Sequence, residues 1–461
     1  MRTLKSMSHK RLLRLLPLFI ATSLGASLLS VPAQAATPST PFWVKDATIY
    51  EVKGRQYTQA GTLNAFADSL PRLQKLGVKI LWFMPIQPIS VLNRKGTLGS
   101  EYSIADYTAV NPELGTSSDF QALVTKAHQM GFKVLMDWVG DHSGWDNKWI
   151  TNKDWYHQDA DGNIIPPNPD WTDVAWLNYE NQDLRAAMLA AMKYWVTNFD
   201  IDGFRADYAT GVPADFWATA ITELQKNKPL FMLAECQGQR SLLESGFSAD
   251  YDWNLLNIIN GIAKGSNQPA DIQRLAASEV QDYPTGTFPM AFFTNHDENT
   301  YTGSEYTRLG KSVPAFAAMY FTYPGIPLVY SGQEVGNTKQ IAFFDKDLIP
   351  GLTSPNTTSA FYAKLISLKK KNSVLWNGSG VLLTPVTSDN SQVIAFARKS
   401  SSDAVVTIAN LTSSPQRVTL RLGALAGSYR KFTTNGKGAL PKVTTLLLKP
   451  YQFEVYSTNA A

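Results

Sequence analysis

The chain has 461 residues, 44% of them hydrophobic and 17% charged, which is the composition of folded globular domains and enough length for two or three of them. The formal charge of +4 is concentrated at one end: residues 1–35 hold five of the 42 basic residues and no acidic one, which leaves 37 basic against 38 acidic beyond them. That near-neutral remainder gives no electrostatic footing for a nucleic-acid partner, and a single cysteine, Cys236, excludes an internal disulfide.

In chain order, residues 1–35 read as a secretory signal peptide. Lys and Arg come first, then an apolar run from Leu12 to Val31, then Ala33-Gln34-Ala35, with cleavage expected before Ala36. No other apolar run is long enough to span a bilayer, so no membrane association is expected after cleavage. Export without disulfides points to a bacterial periplasm or cell exterior.

The first strand is predicted over residues 46–52, followed by a helix over 65–76 closed by Gly77, and a second strand over 78–85. A long loop over 86–117 leads to a helix opened by Thr116-Ser117-Ser118-Asp119, and a third strand over 133–138. Helices over 183–198 and 213–226 precede strands at 203–207 and 230–235, and further strands are expected at 251–255, 290–294 and 326–330. Eight strands alternating with helices over residues 42–372 predict the α/β class, a (β/α)8 TIM barrel rather than an open sheet. Residues 142–180 interrupt the third strand-to-helix connection and carry five tryptophans, which reads as a small inserted subdomain whose rings are its own core or sugar platforms. After a helix over 359–371 the texture changes: β-branched runs at 405–409, 417–422 and 443–456 predict a C-terminal antiparallel β-sandwich over residues 373–461.

Chemistry in such barrels collects where strands end. The third strand ends in Asp137, followed by Asp141 and His142; the fourth carries Arg205 and Asp207 on one face, since residues two apart point the same way. The fifth is an apolar run ending in Glu235, which predicts a desolvated acid, and the seventh runs into Asn295-His296-Asp297. An Arg beside Asp207 favours the ionised carboxylate that a nucleophile needs. Singly, each of these is an ordinary strand-end cap; four strands delivering acids, two histidines and an arginine to one rim is a catalytic pattern.

Asp137-Trp-Val-Gly-Asp-His142, Gly203-Phe-Arg-Ala-Asp207, Glu235 and Phe293-Thr-Asn-His-Asp297 resemble, in order and spacing, the four signature blocks of the α-amylase family of glycoside hydrolases. The likeness extends over residues 42–460 and includes Tyr102 to Gly115 and Gly325 to Glu334. It implies catalysis by Asp207 as nucleophile, Glu235 as acid/base and Asp297 as a third carboxylate, with Tyr102, His142, Arg205 and His296 around the same sugar. Asp137 is expected to orient its neighbours, and Asp106 to support its loop. Glycoside cleavage independently wants two carboxyls flanking the scissile bond. The activity implied is retaining hydrolysis of α-1,4-glucosidic bonds in starch-like glucans or maltooligosaccharides by a monomer. The alternatives are an exo-acting glucosidase, a glucan transferase, or a non-catalytic sugar-binding relative.

The chain departs from the family's pattern where many members hold calcium between barrel and subdomain. Asp141 stands for an Asn, Trp176 for an Asp, and Tyr208-Ala209-Thr210-Gly211 replaces a Lys-His pair after the nucleophile. A hard cation needs several oxygen ligands, so no tightly bound calcium and no other cofactor is expected. Asp159-Ala160-Asp161-Gly162-Asn163 lacks the closing Glu of a calcium loop and reads as a turn. Cys236 has no patterned partner and is expected to be a small buried residue.

Overall fold

The computed structural model describes residues 40–459, so the signal expected over residues 1–35 lies outside the described part. Eight parallel strands close into a barrel: β1 (Ile49–Val52), β2 (Ile80–Phe83), β3 (Lys133–Val139), β4 (Gly203–Asp207), β5 (Phe231–Ala234), β6 (Ala249–Tyr251), β7 (Phe288–Ala291) and β8 (Ile326–Tyr330). Each lies beside its neighbours in sequence, and β1 closes on β8 through Ile49 opposite Leu328. Almost every strand residue is buried, because helices cover the outside and side chains fill the inside. At Gly203 the backbone has φ +153°, and a Cβ would stand 1.8 Å from the Phe231 carbonyl oxygen; only glycine lets β4 lie this close to β5.

The first, second and fifth strands are shorter than the sequence reading, and three other boundaries differ for a local reason. The helix expected over 65–76 is two helices, Leu63–Ala67 and Leu70–Leu76, because Pro71 cannot continue a helix from the preceding turn but suits the first turn of a new one. The sixth strand is Ala249–Tyr251 rather than 251–255: the Asp252 side chain accepts from the Leu255 N–H at 2.8 Å and starts the helix Trp253–Lys264 there. The seventh ends at Ala291, so Phe292-Phe293-Thr294 belongs to the segment beyond the strand. The expected helix start at residue 116 is a capping box between Thr116 and Asp119.

Within 142–180 two short strands, His142–Gly144 and Val174–Trp176, pair antiparallel, and the rest is a single 3-10 turn at Lys153–Trp155, isolated bridges and loops. Its tryptophans divide between the two roles: Trp149 stacks on Tyr107 and Trp176 on His157, whereas Trp171 lines the cavity at the barrel mouth. Asp159 accepts from the backbone N–H groups of Asp161 and Asn163, which is the turn the sequence predicts. Beyond Thr357–Lys371 the chain forms a six-stranded and a three-stranded antiparallel sheet around a small apolar core. The run 443–456 is two strands in different sheets, Val443–Leu448 and Phe453–Ser457, separated by a turn at Tyr451 with φ +57°.

Candidate active site

Arg205 is the hub. It is wholly buried on β4, and its guanidinium reaches three carboxylates: Asp137 Oδ1 at 2.9 Å and Asp207 Oδ1 at 2.7 Å from Nη1, and Glu235 Oε1 at 2.8 Å from Nη2. Its Nε donates to the Tyr251 hydroxyl at 3.0 Å. One guanidinium thus holds Asp207 by a hydrogen bond from Nη1 and Glu235 by an ion pair at Nη2, which keeps the two carboxyls beside each other. The other oxygen of Glu235 accepts from the Tyr208 backbone N–H at 2.8 Å, where Tyr208 adopts φ +38°. The apolar run of β5 therefore does not wall in Glu235. Its carboxylate emerges one residue past the strand and meets a cation and an N–H instead.

Three carboxylates share one cation, so their titrations belong to the cluster. Burial pushes Asp207 well above the usual carboxylate range; Arg205 opposes this and Glu235 adds to it. Burial likewise raises Asp137 to about 6 against the pull of Arg205. The expectation that Arg205 alone secures an ionised Asp207 is therefore corrected: burial and the neighbouring acids oppose the guanidinium there.

A second group surrounds His296. Its Nδ1 meets Glu51 Oε1 at 2.5 Å and its Nε2 lies 3.2 Å from Asp297 and 2.9 Å from the Tyr102 hydroxyl. Burial opposes the imidazolium, but Asp297 and Glu51 outweigh it and raise the pKa to about 10. Burial also pushes Asp297 upward, and the His296 charge outweighs it, holding that carboxyl below its ordinary value. The Tyr102 hydroxyl donates to Asp137 Oδ2 at 3.1 Å, tying the two groups together, and its ring stacks on Phe343. His142 sits on the subdomain strand with Nδ1 2.9 Å from Asp141; burial lowers its pKa, but Asp141 raises it further.

Tyr102, His142, Asp207, Glu235, His296 and Asp297 all line one cavity of about 380 Å³. Arg205 lies beneath it, touching no solvent. Asp106 faces away, accepting from Thr108 and pairing with Lys148. Cys236 is buried and unpaired. Sequence reasoning missed Glu51, Tyr251 and the pair Lys95–Asp173, joined at 2.9 Å. Glu51 and Lys53 alternate on the otherwise apolar β1 segment, and that pattern of inward charges was the available signal.

Asp141, His142 and Asp207 each bring a donor atom within 4.8 Å of the others. This set does not fit calcium. It offers two carboxylates and an imidazole, Asp207 is already bound by Arg205, and a hard cation wants six to eight oxygens. The compensating charge of Asp141 is the His142 imidazolium, whose Nδ1 lies 2.9 Å from Oδ1.

Two family models match the chain: the catalytic domain of alpha amylase over residues 44–232 and the alpha amylase C-terminal all-beta domain over residues 386–446. Alpha-amylase MalA of Haloarcula japonica is 26% identical over 420 residues, covering 86% of this chain; the chain spans 60% of that protein's length. A cyclomaltodextrinase from a Bacillus species is 25% identical over 434 residues, covering 80% of this chain and 73% of its own. Among solved structures, the maltogenic alpha-amylase AmyB from Thermotoga neapolitana superposes with a TM-score of 0.82 at 28% identity, over 90% of this chain and 99% of that one. An alpha-amylase from Lactobacillus plantarum does so with a TM-score of 0.78 at 29% identity, again over 90% and 99%.

Proposed function

The chain belongs to the α-amylase family of glycoside hydrolases, and from that premise we propose that it cleaves α-1,4-glucosidic bonds in starch-like glucans or maltooligosaccharides with retention. The observation that carries this reading is the Arg205 fork, which presents Asp207 and Glu235 side by side at the floor of a sugar-sized cavity. Asp207 attacks the anomeric carbon while Glu235 gives its proton to the glycosidic oxygen, and the aglycone leaves. Glu235, now a carboxylate, takes a proton from water, whose oxygen displaces Asp207 and restores the α-anomer. Asp297, held ionised by the His296 imidazolium, accepts from sugar hydroxyls, and His142 donates to them, while both ring nitrogens of His296 are engaged by Glu51, Asp297 and Tyr102. Tyr102 forms the aromatic wall beside them.

The test is Glu235→Gln, which is expected to lower kcat by about 10³, since a general acid contributes roughly 10²–10⁴. Unchanged starch hydrolysis by that variant, or release of the β-anomer first in proton NMR of the wild type, refutes the assignment. A non-catalytic relative is disfavoured by the presence of all three acids. A second reading, exo action or transfer on short maltooligosaccharides, is favoured by the Lys95–Asp173 pair and Phe344 at the cavity rim. Chromatography of products from soluble starch, maltotriose and pullulan over time separates the two. The chain is read as working without calcium or another cofactor, and as exported. Sequencing the N-terminus of secreted protein tests the latter, with Ala36 expected first.

A further inference from the structure

We propose that the catalytic cavity is blind at its glycone end, closed there by a rim that Lys95 latches together. The enzyme then takes α-glucan chains by their free non-reducing ends and releases one short product of fixed length. This rests on the hydrolase reading above and names the chain end that the same site accepts.

Three segments build the rim, and each is tied to the next. The loop after β2 packs on the segment after β8: the Leu98 N–H donates to the Phe344 carbonyl at 2.9 Å, and Asp345 Oδ1 accepts from the Thr97 N–H at 3.0 Å and from its hydroxyl at 2.5 Å. The approach is so close that a Cβ on Gly96, at φ +62°, would stand 2.5 Å from Phe344 Cβ. One residue earlier, Lys95 crosses to the inserted subdomain. Its ammonium donates to the Asp170 carbonyl at 2.8 Å and pairs with Asp173 Oδ1 at 2.9 Å, so it grips both flanks of Trp171. The same turn is held by Trp145 Nε1 on the Thr172 carbonyl at 2.9 Å and by Ser103 Oγ on the Asp173 carbonyl at 2.8 Å. Trp171 is thereby set edge-on to His142 and Tyr208, with ring centroids 5.8 and 5.7 Å away. Phe344, Lys95, Asp173 and Trp171 all line the cavity.

The position of this rim decides which end of the substrate meets it. Around the closed barrel β5 stands opposite β1. The segments after β8 and β2 flank β1, whereas Glu235 follows β5. Glu235 protonates the oxygen of the departing sugar, so that sugar and everything toward the reducing end lie on the β5 side. The sugar attacked by Asp207, with whatever is attached to its non-reducing end, runs toward the joined rim. A lysine has three donors, and Lys95 spends two on Asp170 and Asp173, so one is left for a terminal hydroxyl. A wall at a fixed distance from Asp207 and Glu235 measures the product.

The experiment uses the full chain with p-nitrophenyl maltoheptaoside, either free or with O4 and O6 of its non-reducing glucose tied as an ethylidene acetal, and chromatography reads the products. The free chain is expected to give one short maltooligosaccharide first, with the p-nitrophenyl group wholly on the complementary fragment. The blocked chain is expected to react roughly a hundredfold more slowly, because the acetal clashes with the rim. Lys95→Ala is expected to raise the blocked-to-free rate ratio several-fold, since it removes a hydrogen bond and an ion pair from the latch. Asp345→Ala, which frees the β2 loop from the β8 side without lining the cavity, is expected to raise it less. The ratio is taken within one preparation, so a partly folded variant does not distort it, and the wild-type comparison stands without either variant. Equal wild-type rates on the two chains, a spread of first products, or an unchanged ratio in Lys95→Ala overturns the proposal and leaves the hydrolase reading intact; no turnover of either chain refutes that reading itself.

Discussion

Arg205→Met removes the one cation on which Asp137, Asp207 and Glu235 converge, at 2.9, 2.7 and 2.8 Å. Breaking a buried ion pair from one side costs about 3–5 kcal/mol. Three acids lose their partner here, yet the cost does not triple, because each neutralises rather than remain buried and charged. A loss of about 4 kcal/mol shared among three carboxyls raises each by about one pH unit, at roughly 1.36 kcal/mol per unit. The sign follows from proton counting. Raised folded-state pKa values mean that the folded variant binds more protons than the unfolded chain, so its deficit grows as pH rises and shrinks toward acid. Urea unfolding followed by tryptophan fluorescence at pH 5 and pH 8 measures this, and kcat/KM against pH measures the acid limb, expected to move up by about one unit. The double variant Arg205→Met/Asp137→Asn is expected to recover part of the stability, because it also withdraws a stranded acid. A defect equal at both pH values, with the acid limb unmoved, would show that the guanidinium is not what holds the three carboxylates.

Gly203→Ala is expected to yield no folded protein, because its Cβ would stand 1.8 Å from the Phe231 carbonyl oxygen; a soluble variant with the wild-type Tm contradicts the β4–β5 packing. Incubation with a chelator is expected to leave Tm and activity unchanged, and a sharp fall in either would restore a calcium role at Asp141. His296, raised to about 10, is expected to remain an imidazolium from pH 5 to pH 9. A raised histidine contributes stability that is complete below the ordinary value of 6.5 and disappears as pH rises through about 10, so an NMR titration of its ring centred near 6.5 would refute the Glu51–His296–Asp297 arrangement.

The barrel was legible because its evidence is periodic and local. Apolar runs of strand length alternate with helical spacing, and Asp207 ends its strand, Glu235 comes one past its own, and Asp137 sits two before the end of β3. The errors fall where a local competitor outranks the run. Phe292-Phe293-Thr294 has strand composition, but β7 pairs with β8 only through Met290 and Ala291, so the segment after Ala291 has no partner to pair with. Trp253-Asn254-Leu255 is apolar enough for a strand, and the Asp252 cap makes it a helix. Pairing and capping are decided by single neighbours, which a hydrophobic pattern does not encode.

Charges in the interior are the harder case, and β1 shows why. Glu51 is wholly buried, yet on an isolated strand a glutamate reads as a solvent-facing residue. Its burial makes sense only with His296 beside it, 245 residues away. The same holds for Lys53, buried against Glu101 at 2.6 Å. In each case the second charge is the reason the first is tolerated, and the barrel's closure is the reason they meet. A buried charge with its partner in place is thus a statement about the fold.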